Sequence, residues 1–99
     1  MGFDDIKRKV IEAILNGFVD HEDRKDFEIK NMYAMDQFTD EEIIFIIKTS
    51  KGHDYCCEPH ETKHGINVHI IKREGGKYDG IYIKFYLIEP NVWFISVHY

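Results

Sequence analysis

The amino-acid sequence predicts an α+β fold, with N-terminal helices packed on a C-terminal antiparallel sheet of three or four strands. Three observations carry that reading. Apolar residues of the first half recur at helical spacing, and a full helix-start signal stands at Thr39. From Ile66 onward the chain is β-branched and aromatic between two reversals marked by glycine or proline.

Phe3, Ile6, Val10, Ile14 and Leu15 follow one another at the spacing of a helix face, with Asp4, Lys7, Arg8, Lys9 and Glu12 between them. Asn16-Gly17 ends this amphipathic helix, because glycine takes the left-handed conformation of a helix terminus at little steric cost. Residues 18–37 run through a charged patch from Asp20 to Lys30, with Phe18, Phe27, Ile29, Tyr33 and Met35 as scattered apolar anchors; the segment reads as weakly helical or irregular. Thr39 then stands as N-cap, Glu42 completes a capping box, and Phe38 and Ile43 are placed to form a hydrophobic staple. The second helix is almost continuously apolar from Ile43 to Ile47, so it is expected to be buried on most sides and to end by Lys51-Gly52. Ile66, Val68 and Ile70 alternate with Asn67, His69 and Ile71, and Arg73 to Gly80 supplies a glycine-rich reversal. Ile81 to Ile88 is the next strand, Glu89-Pro90-Asn91 a turn, and Val92 to Tyr99 a third strand. Short turns make these strands an antiparallel meander whose middle strand is central and covered by the second helix.

The 99 residues are 43% hydrophobic and no Ser/Gly/Pro-rich stretch divides them, so residues 1–99 read as one domain with a core that needs no staples. Cys56 and Cys57 are adjacent, which offers neither a strain-free disulfide nor a secreted-type framework. No charged leader with an apolar run opens the chain, and no uncharged run approaches the roughly 20 residues of a membrane helix. A cytoplasmic protein with no membrane partner is expected. Net charge is −5, and the whole deficit falls in residues 1–50, which carry seven Lys/Arg against twelve Asp/Glu. Residues 51–99 balance at six and six and hold five of the six histidines. The acidic total counts against a phosphate-binding role, while the neutral, His-rich half leaves room for one.

Two segments can carry chemistry. In the last strands the two-residue period puts Tyr82, Lys84 and Tyr86 on one face, and Ser96 and His98 on one face of the next, so polar groups converge on one side of the sheet. The plain alternative is a solvated face. The other segment is His53, Cys56, Cys57, His60 and His64, whose thiolates and imidazoles suit Zn²⁺, with His60 and His64 on one side if Pro59 begins a helical turn. Its spacing matches no standard zinc motif, and on the plain alternative the cysteines are small hydrophobes and the histidines surface residues. Cys57 with any of five histidines also has the composition of a nucleophilic pair, but nothing in the spacing selects one. Gly75-Gly76 lacks the following Lys-Ser/Thr of a phosphate loop. The aromatic stripe Tyr82, Phe85, Tyr86, Trp93 and Phe94 reads as core.

The strand Ile81-Tyr82-Ile83-Lys84-Phe85, a reversal, and then Phe94-Ile95-Ser96-Val97-His98 resembles the C-terminal signature of MqsR-type toxins of bacterial toxin–antitoxin pairs. Asp54-Tyr55 and His64-x-Ile66-x-Val68 extend the likeness, which covers roughly residues 40–99. The resemblance implies a RelE-like fold and metal-independent endoribonuclease activity on messenger RNA, with no cofactor, and with single-stranded RNA and an antitoxin protein as partners. It implies catalytic roles for Tyr82, His98, Lys84 and His69, and RNA contacts by Asn67, Lys72 and Arg73. Tyr82 matches the family's functional strand tyrosine, and His98 stands where the family has a basic lysine. The family's mid-chain lysine falls on or beside Cys56, and its glutamine near Asn67 to His69. The alternatives are a non-catalytic protein-interaction domain, which includes an inactive relative of the toxin, and a small zinc-binding domain using Cys56, Cys57, His60 and His64.

Overall fold

The computed structural model describes residues 2–22 and 30–99. Helix α1 spans Phe3–Leu15, with Asp4 and Asp5 in its first turn, where acidic groups complement the positive end of the helix dipole. Its apolar stripe Ile6, Val10, Ala13 and Ile14 is buried, and Asn16 caps it before Gly17 turns at φ +77°. Strand β1, Val19–His21, follows at once. Helix α2, Asp40–Thr49, starts at the predicted capping box: Glu42 N donates to Thr39 Oγ1 at 3.1 Å and Thr39 N to Glu42 Oε1 at 3.0 Å. Ile43, Ile46 and Ile47 are buried, whereas Phe45 is 51% exposed, so α2 packs by one face instead of being enclosed. A 3₁₀ turn, Gly52–Asp54, leads into β2, Tyr55–Pro59, and then β3, Asn67–Lys72, β4, Tyr82–Ile88, and β5, Asn91–His98.

Among the described residues the five strands form one mixed sheet in the order β1-β5-β4-β3-β2. The predicted meander is there as β3-β4-β5, all antiparallel, with β4 central. Two strands exceed the prediction. β2 pairs antiparallel with β3, in the segment read as a metal cluster, and Pro59 closes that strand instead of opening a helical turn. β1 pairs parallel with β5, Val19 to Val92 and His21 to Phe94, in a segment read as irregular. Further along the same side of β5, Asn31 bridges Val97, and Met32 N donates to Val97 O at 2.7 Å. Phe27 and Ile29, expected as anchors of that segment, lie outside the described residues.

The helices cover one face of the sheet. Ile71, Ile83, Phe85, Phe94 and Val97 pack there against Ile6, Val10, Ile43, Ile46 and Ile47. The opposite face, called outer below, carries a smaller cluster of Val68, Ile70, Tyr86 and Ile95, flanked by Ile66, Tyr82 and Trp93. A loop after β2 folds over one end of this outer face. The buried His60 meets Tyr86 edge-on at 5.2 Å, its Nδ1 accepts from Thr62 N and Lys63 N, each at 3.0 Å, and Nε2 lies 3.3 Å from Glu22 Oε2. With Nδ1 accepting twice, the proton sits on Nε2 and points at the carboxylate. No helix of the described residues is long and apolar enough to cross a membrane.

Candidate active site

Strand register decides which candidates meet. Lys72 pairs with Tyr82 across β3 and β4, and Tyr82 with His98 across β4 and β5, so the three form one row on the outer face. The Tyr82 and His98 rings stack at 5.2 Å with planes 25° apart, and Lys72 Nζ lies 5.8 Å from the Tyr82 ring centre. The next row places Ile70 beside Lys84 and Lys84 beside Ser96, and the following one Val68 beside Tyr86 and Tyr86 beside Trp93. Lys84 reaches Glu58 of β2 at 3.7 Å. A register shift between Lys84 and Phe85 lets β5 turn Ile95 into the outer cluster without moving His98 off this face.

His98 Nδ1 lies 2.9 Å from the Tyr99 main-chain oxygen, which only accepts, so Nδ1 carries a proton and Nε2 is the ring nitrogen left to face a ligand. Burial, then the negative potential of Glu58 and Cys56, raises the Tyr82 phenol above its ordinary range, so it is a proton donor at neutral pH. An imidazole and a phenol thus stack on adjacent strands, with the amino groups of Lys72 and Lys84 on the same face.

Three candidates from the sequence stand elsewhere. His69 faces the helices: its ring packs 5.4 Å from Phe85, its Nδ1 is 2.7 Å from the Tyr55 hydroxyl, and burial lowers its pKa. Asn67, two residues before it, shares that face and lines a groove with Tyr55, Cys57 and His69. Arg73 is a structural clamp, its Nη1 donating to Ile46 O at 3.0 Å and Thr49 Oγ1 at 2.7 Å at the C-terminal end of α2, where a cation is favoured. Alternation along β3 separates the odd-numbered candidates from Lys72, and only knowledge of which face the helices cover assigns each set its side.

The zinc alternative does not assemble. Cys56 and Cys57 are consecutive strand residues and point to opposite faces, and both nitrogens of His60 are engaged. Among the described residues the one group of three ligand types in mutual reach is His53, Asp54 and Glu74, within 4.8 Å of one another. There the buried Asp54 carboxylate already accepts Lys51 N at 2.9 Å and Glu74 N at 3.3 Å, which is the work of a turn cap. The sequence reading missed the roof that His60 makes over Tyr86; His60 directly after a proline-ended strand, with Thr62 two residues on, is the signal that was present.

Comparison with protein-family models, with curated proteins and with solved structures finds no match for this chain.

Proposed function

We propose that the outer face cleaves single-stranded RNA without a metal, as a small endoribonuclease toxin restrained by an antitoxin protein. The observation that carries this reading is the Lys72–Tyr82–His98 row, with its stacked imidazole and phenol and with Lys84 on the neighbouring row. His98 Nε2 takes the proton of a ribose 2′-hydroxyl, and the 2′-oxygen attacks the adjacent phosphorus. Tyr82 gives its proton to the departing 5′-oxygen, and a 2′,3′-cyclic phosphate forms. Lys84 and Lys72 meet the charge that builds on the phosphoryl oxygens. DNA has no 2′-hydroxyl and is spared. The likeness of the last two strands to MqsR-type toxins supports the same assignment.

The test is incubation of the purified protein with single-stranded RNA in EDTA, beside DNA of the same sequence. RNA cleavage survives EDTA, DNA stays intact, and His98→Ala and Tyr82→Phe each lower the rate by about 10²- to 10⁴-fold. Intact RNA overturns the reading. It would leave the second one, a non-catalytic interaction domain, which the net charge of −5 and the place of β2 at the edge of the sheet among the described residues favour.

A further inference from the structure

A second set of reactive side chains lies on the helix-covered face, away from the Tyr82–His98 row. Cys57 and His69 are directly opposed across β2 and β3, which sets their Cβ atoms about 5 Å apart. Tyr55 stands two residues before Cys57 on the same face, its hydroxyl 2.7 Å from His69 Nδ1. The phenol is held in place: Phe3 of α1 stacks on it at 4.2 Å with planes 11° apart, and the His69 ring stacks at 5.9 Å. All three line a groove of about 440 Å³ with Ile6, Ile66 and Leu87. His69 is only 8% exposed, yet no buried side-chain nitrogen or oxygen among the described residues lacks a partner, so its unpaired Nε2 opens onto this groove.

Five histidines fit a pairing with Cys57 by sequence, and register selects His69. The vicinal thiol of Cys56 is also exposed but faces Ile70 and Lys84 on the other side of the sheet. Two adjacent cysteines therefore differ in whether a phenol–imidazole chain stands beside them.

We propose that Cys57 is a reactive thiol at which the protein forms a mixed disulfide with a small organic disulfide seated in this groove. Its proton passes to the Tyr55 oxygen as the Tyr55 proton passes to His69 Nδ1 and the Nε2 proton leaves to water. Imidazole is neutral before and after, having changed only its tautomer, so the burial that disfavours imidazolium at His69 does not oppose the step. The thiolate, accepting the Tyr55 hydroxyl, attacks one sulfur of the disulfide. The Cys57 S–S bond forms as the old S–S bond breaks, and the displaced thiolate takes a proton from water. Exchange of this kind asks for a thiolate, access and room for the partner, and the groove supplies them. Occupation of Cys57 then fills the space between α1 and the β2–β3 edge.

The experiment follows both cysteines at once. The reduced full chain is treated with bis(2-hydroxyethyl) disulfide, and the rates at Cys56 and Cys57 are read by peptide mass spectrometry across pH. Cys57 reacts about tenfold faster than Cys56 at pH 7.5, and Tyr55→Phe removes most of that advantage and moves the Cys57 pH–rate profile upward. Cys56 keeps its rate and profile in the same variant, which a general loosening of β2 would not allow. His69→Gln, which cannot exchange tautomers, slows Cys57 and again spares Cys56. Equal rates at the two cysteines of the unaltered protein, or a Cys57 profile unmoved by Tyr55→Phe, overturn the proposal. If Tyr55→Phe does not fold, the ratio in the unaltered protein decides. The outcome is independent of the RNA assay, whose groups lie on the other face.

Discussion

Replacing His60 tests whether the roof of the outer face is held by one imidazole. Its Nδ1 accepts two main-chain N–H groups and its ring is buried edge-on against Tyr86. In His60→Ala, water can reach the freed amides of the exposed loop, so each lost bond costs about 1 kcal/mol. The lost ring burial adds about 1 kcal/mol more, for roughly 3 kcal/mol in all. His60→Asn keeps an acceptor oxygen near the Nδ1 position and sheds the ring, so it costs roughly 1 to 1.5 kcal/mol. With a urea slope of about 1.5 kcal/mol per molar for a chain of this size, the midpoints fall by roughly 2 M and 1 M. Hydrogen exchange locates the effect: the Thr62 and Lys63 amides lose protection in the alanine variant and keep most of it in the asparagine variant. Equal loss in the two variants would refute the acceptor role, and a cost below about 0.5 kcal/mol for alanine, the range of an ordinary surface change, would refute the roof itself.

Thr39→Ala removes the capping box at the start of α2 and lowers stability by about 1 kcal/mol, read as a urea midpoint shift with an unchanged slope. Burial lowers the pKa of both His69 and His21, so below the ordinary imidazole value near 6.5 the unfolded chain binds protons the folded chain resists. Stability from these groups is full above that value and is lost as pH falls beneath it. Urea midpoints therefore drop from pH 7 to pH 5.5, with a shallower slope in His69→Gln; a midpoint that rises on acidification contradicts this. If RNA crosses the outer face, Trp93, half-buried and stacked at 6.1 Å on Tyr86, is a base platform. Trp93→Ala then weakens single-stranded RNA binding by about 10-fold or more in a titration made in the His98→Ala background.

The parts of the fold legible in the sequence are those fixed by local rules. The Thr39 capping box, the Gly17 terminus and the three strands β3 to β5 each arise within a few residues, and each is found where the sequence puts it, with one register shift opposite Lys84 and Phe85. β1 and β2 were opaque for different reasons. β1 is three residues long with Asp20 at its centre, and its strand conformation comes from pairing with a partner some seventy residues away, a tertiary effect with no local signature. β2 has exposed side chains from Cys56 to Pro59, as an edge strand does, so no apolar period marks it, and its Cys and His neighbours suggested ligands. For the candidate site, period two put Tyr82, Lys84 and His98 together correctly. It could not say that His69 and Asn67 face the helices, because that depends on where α1 and α2 lie. The opposed directions of Cys56 and Cys57 were obscured for the same reason: once β2 is a strand, they follow from the pleat.

The position of β1 ties together the two ends of the chain's strand sequence. It is the earliest of the described strands in the chain and rests against the latest, so among the described strands its pairing closes the longest loop in the sheet. Glu22, the residue after β1, is what His60 reaches from the far edge of the sheet. The contact over the Tyr86 end thereby joins the two opposite edges of the sheet, so a change that frees either β1 or the loop after β2 loosens it.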